Sequence, residues 1–216
     1  MQTEYLKASQ KPYSQQKLTF TNDSLRDEDG NAVMMQWEEG IMKKQANTVC
    51  KNGGAILNIG FGMGYIDTYI QEYNPKLHVI IECHPDVWEK MKVDGWLDKP
   101  NVQCVFGKWQ NIIPQFLNSN IKFDGIYYDT WGEMNFPFYE ITYKLLNPNG
   151  IFTFFNKSGD VKLKINPLTK SILSQHLNIT CESFNIPTVP HQHEDGRDYW
   201  DVNNLMYHNP ICTLKK

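Results

Sequence analysis

One stretch constrains this chain more than any other: Ala55-Ile56-Leu57-Asn58-Ile59-Gly60-Phe61-Gly62-Met63-Gly64. A short apolar run of strand length ends in three alternate glycines, and Tyr65-Ile66-Asp67-Thr68-Tyr69-Ile70 then takes up helical spacing. Strand, glycine turn and helix in that order read as a βα unit whose turn can meet a nucleotide through bare backbone. A dinucleotide site requires GxGxxG/A, and Tyr65 stands where its third small residue belongs. The GxGxG pattern therefore points to S-adenosylmethionine. A tight turn that binds nothing would look the same, so the flanking segments have to decide.

At 216 residues, 41% apolar and 13% aromatic, the chain suits one well-buried α/β domain. A formal charge of -3, with no large Lys/Arg cluster, disfavours a nucleic-acid partner. Cys50, Cys83, Cys104, Cys181 and Cys212 are scattered, odd in number and free of any CxxC, which fits reduced thiols inside a cell and suggests a cytoplasmic protein. No apolar stretch approaches the ~20 residues of a membrane span, and the polar start Met1-Gln2-Thr3-Glu4 does not read as a signal peptide, so no membrane partner is expected.

Residues 1–30 are polar and read as an arm, extended or flexible, that can close over a site when ligand arrives; residues 31–216 read as the single domain. From Asn31 to about Ala46 a helix is expected, with Val33, Trp37 and Ile41 on one stripe and Met34, Glu38 and Met42 on the next. The second stripe sets a carboxylate between two methionines. Leu77-His78-Val79-Ile80-Ile81 is a second strand that ends in Glu82, 22 residues after Gly60, where an acid suits a ribose diol. Pro85 to Gly95 has the Pro-early, Gly-late pattern of a helix. Val102-Gln103-Cys104-Val105-Phe106 is a third strand, followed by Lys108 and Trp109, the latter either a wall for an adenine or a core residue. A fourth strand, Phe123-Asp124-Gly125-Ile126-Tyr127-Tyr128, delivers Asp129 at its carboxyl end, where open α/β sheets bind ligands.

Helical spacing resumes from Tyr139 to Leu146. A turn at Asn147-Pro148-Asn149-Gly150 then leads into a fifth strand, Ile151 to Phe155. Beyond Asn156 the expectations are a helix over Thr169–Gln175, strand character over Ser183–Val189 and Tyr199–Cys212, and between them a solvated polar loop, His191 to Arg197. His191-Gln192-His193-Glu194 has metal-like composition, but its bounds Pro190 and Gly196 favour a plain loop, and no metal is assigned.

Taken together, Val33-Met34-Met35-Gln36-Trp37-Glu38, the glycine turn, Ile80-Ile81-Glu82-Cys83 and the segment from Phe123 to Thr130 resemble the guanidinoacetate methyltransferase family and its relatives, the fungal type IV protein arginine methyltransferases. His84-Pro85, Asp94-Gly95-Trp96 and Tyr127-Tyr128 look more like the protein arginine enzymes, while Trp131-Gly132-Glu133-Met134 departs from both. The resemblance implies a class I Rossmann-like methyltransferase, α/β, with a mixed, mostly parallel seven-stranded sheet flanked by helices. It implies S-adenosylmethionine touching Met34, Met42, Gly60, Phe61, Gly62, Met63, Gly64, Tyr65, Ile66, Glu82, Cys83, His84, Lys108, Trp109 and Asp129. Glu38 and Asp129 would hold the guanidino group as the catalytic pair. The implied acceptor is the internal nitrogen of arginine in a protein, such as a ribosomal protein, in the cytoplasm or nucleus. Guanidinoacetate, giving creatine, is the alternative small guanidino acceptor, and an inactive cofactor-binding protein acting through partners is a third reading.

Overall fold

The computed structural model describes residues 11–132, 135–157, 164–193 and 198–216. The first strands are β1 (Thr19–Phe20), β2 (Ser24–Arg26) and β3 (Ala32–Met35), which form a small antiparallel sheet. The chain then runs through α1 (Glu39–Val49), β4 (Ala55–Ile59), α2 (Tyr65–Glu72), β5 (Leu77–Glu82), α3 (Pro85–Val93), β6 (Val102–Phe106), α4 (Trp109–Asn118) and β7 (Phe123–Tyr128). It closes with α5 (Phe136–Tyr139), β8 (Leu146–Phe154), α6 (Pro167–Leu173), β9 (Leu177–Asn185) and β10 (Met206–Leu214).

Seven strands make the main sheet in the order β6-β5-β4-β7-β8-β10-β9. The first five are parallel, and β10 runs antiparallel to both its neighbours. This is the Rossmann-like, mostly parallel arrangement expected from the sequence. Side chains alternate along each strand, so Ile56, Ile80 and Tyr127 join the core under α1, α2 and α3, while Leu57, Ile81, Ile126 and Tyr128 face α4 and α5. Strand order reverses beside β4, which opens a crevice at the carboxyl ends of β4 and β7.

Several sequence expectations change here. The helix expected from Asn31 begins later: residues 32–35 are β3, Gln36–Glu38 is a 3-10 turn, and α1 starts at Glu39. An Asp side chain sets this up. Asp27 Oδ1 accepts the N–H groups of Asp29 (3.0 Å) and Asn31 (2.8 Å), Gly30 supplies φ +79°, and β2 then pairs with β3, Leu25 opposite Met34. The described part of the arm, residues 11–30, is therefore folded onto the domain across the boundary expected at residue 30; residues 1–10 lie outside the described residues. It is also anchored to α3: Leu18 N–H donates to Asp86 (2.9 Å), and His84 Nε2 pairs with the Gln16 carbonyl (3.0 Å).

The expected helix from Tyr139 to Leu146 is two short turns, Phe136–Tyr139 and Thr142–Leu145. The expected turn at residues 147–150 lies within β8. β9 starts earlier than expected and β10 later, because β9 is an edge strand whose mixed burial hides its alternation. Of the loop expected after Pro190, His191 is exposed, but Gln192 and His193 are buried. Gln192 is fully buried, its carbonyl accepts from Arg26 (2.9 Å), and Asp198 collects the N–H groups of Gln192 and His193. Residues 194–197 lie outside the described residues. Among the described residues no helix is long and apolar enough to cross a membrane.

Candidate active site

The glycine turn after β4 is shaped by contact with β7. Gly60 has φ +94°, and a Cβ there would lie 1.9 Å from the Asp129 carbonyl oxygen, so only glycine lets the ends of β4 and β7 approach this closely. Asp129 N–H donates to the Ile59 carbonyl at 3.0 Å, fixing Asp129 at the mouth of the crevice.

Glu82, at the end of β5, braces the same turn. Its Oε2 accepts from Phe61 N–H (2.9 Å), and its Oε1 from Cys83 and His84 N–H (2.7 Å each). Burial raises its pKa and these backbone donors oppose the rise, holding a carboxylate where ionisation alone would be costly. Behind the turn, Asn58 Nδ2 donates to Gly60 O (3.0 Å) and to both oxygens of the fully buried Asp67.

A cleft opens over these strand ends. Of the residues singled out from the sequence, it brings together Met34, Glu38, Gly60, Gly62, Glu82, Cys83, Lys108, Trp109 and Asp129. Trp109 lines the cleft, and its ring meets Tyr128 and Phe138 edge-on.

The remaining candidates stand behind this wall. Met42 is fully buried and its sulfur accepts from Tyr127 OH (3.1 Å), so α1 turns it into the core. Phe61 is buried with its ring against Trp96, Met63 N–H points at the Met34 sulfur (3.4 Å), and Gly64 with Tyr65 and Ile66 opens α2. His84 caps α3 as a neutral imidazole: Nδ1 accepts from Asp86 N–H (3.1 Å), so Nε2 carries the proton to Gln16, and burial lowers its pKa.

Sequence reasoning missed Tyr13, Thr130, Trp131, Phe155, Lys157 and Tyr199, which also line the cleft. Tyr13 comes from the arm, its ring 4.7 Å from that of His84. Lys157 follows β8 and Tyr199 lies in the connection between β9 and β10, and no motif marks either. The aromatic run Tyr199-Trp200 inside a polar stretch was the one available signal.

Of the two candidate catalytic carboxylates Glu38 is buried and Asp129 half-buried, and desolvation is the main cause of both their shifts. Glu38 is pushed up to about 8, with Asp129 adding to the rise and Tyr199, Met35 and Lys157 opposing it. Asp129 is pushed up to about 6, against the pull of Lys157. Lys157 Nζ lies over the rings of Trp131 (5.2 Å) and Tyr199 (5.6 Å), within cation–π range. A second cation entering this chamber would favour the ionised form of both acids.

The cleft's features suit S-adenosylmethionine: a glycine turn of bare backbone, the Glu82 carboxylate lining the cleft beside it, and apolar walls from Val33, Ile81 and Trp109.

Comparison with known proteins adds the following. The guanidinoacetate N-methyltransferase family model matches residues 9–172. A relative from Yarrowia lipolytica named protein arginine N-methyltransferase 2 is 38% identical over 97% of this chain and 48% of its own length. One of the same name from Candida glabrata is 49% identical over 68% of this chain and 38% of its own. The chain thus spans about half or less of these relatives. In fold it is similar to a putative SAM-dependent methyltransferase from Streptococcus mutans, with a TM-score of 0.62 and 11% identity over 96% of this chain and 57% of that one.

Proposed function

The chain belongs to the guanidinoacetate N-methyltransferase family, and on that premise we propose that it transfers a methyl group from S-adenosylmethionine to the internal nitrogen of an arginine side chain in a protein. One observation carries the proposal: Glu38, from the turn before α1, and Asp129, from the end of β7, share one cleft with the glycine turn and Glu82. The relatives' name, protein arginine N-methyltransferase 2, favours a protein arginine over guanidinoacetate as the acceptor.

Bound at this turn, S-adenosylmethionine supplies a methyl group made electrophilic by its sulfonium. The protein's own residues would do the rest. Glu82 braces the glycine turn through Phe61 N–H, takes two further donors from Cys83 and His84, and would face the ribose hydroxyls. Trp109, Ile81 and Val33 supply apolar walls that exclude water. Glu38 and Asp129 would grip the guanidinium, whose pKa above ~12 and delocalised lone pair make it a poor nucleophile. Two oriented carboxylates offset its charge beside a sulfonium and localise the attacking lone pair. Either Glu38 or Asp129 would accept the proton that the methylated nitrogen sheds. The free thiols of all five cysteines suit a reducing compartment such as the cytoplasm.

The test is incubation with methyl-labelled S-adenosylmethionine and, in parallel, an arginine-bearing peptide, guanidinoacetate, and a cell extract. Fragment mass spectrometry then locates the label. The expected result is label on the internal guanidino nitrogen of arginine in peptide or extract protein. Label on guanidinoacetate alone would move the acceptor to the small-molecule side, and label on neither would refute the proposal.

A further inference from the structure

Two acids face the acceptor side of the cleft, and they are held differently. Among the described residues no hydrogen-bond donor reaches the Asp129 carboxylate, which takes its place from the backbone of β7. Glu38 has two donors, and both reach the same oxygen. Met35 N–H donates to Oε1 at 2.9 Å, and the Tyr199 hydroxyl donates to it at 2.6 Å. Oε2 is left without a donor among the described residues, on a side chain that lines the cleft.

We propose that Tyr199 is a positioning residue for the acceptor site: it commits one oxygen of Glu38 to the protein so that the other is presented, in one orientation, to the guanidino group. This rests on the guanidino function above and deepens it. The N–H of Met35 alone would leave the carboxylate able to swing about its last bond, because a single donor fixes a point and not a plane. The second donor arrives from far along the chain and removes that freedom.

Tyr199 is itself secured from both sides. Before it, Asp198 accepts the N–H of Gln192 at 2.6 Å and of His193 at 3.3 Å. After it, the buried Trp200 donates its own N–H to the Gln192 side chain (3.0 Å) and its indole N–H to the Asn204 carbonyl (2.8 Å). The Tyr199 ring stacks on Trp37, the residue before Glu38, with centroids 6.1 Å apart. The described residues on both sides of Tyr199 thus hold its hydroxyl at Glu38. Burial and the neighbouring Glu38 raise the Tyr199 pKa well above its usual value, so at neutral pH the hydroxyl remains a donor.

The test removes only that hydroxyl. Tyr199→Phe keeps the ring and its stacking, and is compared with wild type, Glu38→Gln and the double variant. With an arginine-bearing peptide as acceptor, Tyr199→Phe should lower kcat about ten- to a hundredfold while the KM for S-adenosylmethionine stays within about twofold. In the Glu38→Gln background the same change should cost less than about twofold, because the two residues act as one unit.

A second readout needs no turnover. The infrared carboxyl band lost in Glu38→Gln reports the protonation of Glu38, and in Tyr199→Phe it should titrate at higher pH, because a hydrogen bond favouring the ionised form is gone. The other groups facing Glu38 are Asp129, Lys157 and the phenols of Tyr65, Tyr127 and Tyr207; all are unchanged in this variant. Wild-type kcat in Tyr199→Phe, an equal loss in the Glu38→Gln background, or an unshifted band would each overturn the proposal. Should the wild-type protein methylate no guanidino acceptor, the function above fails, and the infrared titration decides the role of Tyr199 alone.

Discussion

The two ends of the cleft are built in different ways. The end assigned to the methyl donor has its turn, brace and buried support on one continuous piece of chain, within residues 58–84, to which Val33 and Trp109 add walls. The end assigned to the acceptor is assembled from Glu38, Asp129, Lys157 and Tyr199, which meet only when the sheet is complete and the loop before β10 has folded back. A local site can be held by backbone donors. A dispersed one depends on side chains, and both of its acids pay for burial with raised pKa values.

The largest expected effect comes from joining the two ends too tightly. Gly60→Ala would place a Cβ 1.9 Å from the Asp129 carbonyl at a φ of +94°, so both ends should fail together. Denaturant unfolding should show a loss of about 2–4 kcal/mol, with no measurable methyl transfer. A variant of wild-type stability would mean that the β4 and β7 ends are not in register here.

Next, the ends should separate. Glu38→Gln is expected to lower turnover by well over tenfold and to leave the cofactor dissociation constant within about threefold; Glu82→Gln should weaken the cofactor by about tenfold or more, with less effect on the acceptor KM. Initial-rate kinetics with calorimetry for S-adenosylhomocysteine would measure both. Identical profiles for the two variants would erase the division.

A smaller effect tests the burial cost. Glu38 titrates near 8 in the folded protein against an ordinary 4.5, so the folded state keeps a proton that the unfolded chain loses. Stability must then fall as pH rises through that window. Glu38→Gln escapes this, and should melt a few degrees above wild type near pH 9, with the gap closing near pH 4. A constant gap at both pH values would show that burial of the charge is not the cause. Smallest of all, Lys157→Gln removes a cation that favours both ionised acids. The acid limb of kcat/KM should move up in pH, by less than in Tyr199→Phe, and a downward move would contradict the assigned electrostatics.

The same division explains what could be read from the chain alone. Gly60, Glu82 and Asp129 sit at strand ends, and period-two alternation with glycine punctuation marks such ends in a single sequence. Glu38 was visible by spacing, although the helix inferred for it is a strand, a 3-10 turn and a helix in succession. Met34 and Glu38 still meet in the cleft, while Met42 turns into the core. Tyr199 and Lys157 carry no local signal, since their roles depend on loops that only tertiary contacts place. Tyr13 was hidden for a related reason. The polar composition of the first 30 residues concealed two anchors to α3, His84 with Gln16 and Asp86 with Leu18.

The most direct test of the central claim is a calorimetric titration of an arginine-bearing peptide into protein saturated with S-adenosylhomocysteine, for wild type, Glu38→Gln and Asp129→Asn. Binding is expected in wild type with proton release, since a guanidinium ionises acids that burial keeps partly protonated. Each variant should lose at least about tenfold in peptide affinity and keep its affinity for S-adenosylhomocysteine. Equal peptide affinity in all three proteins would contradict the assignment of Glu38 and Asp129 as the guanidino grip.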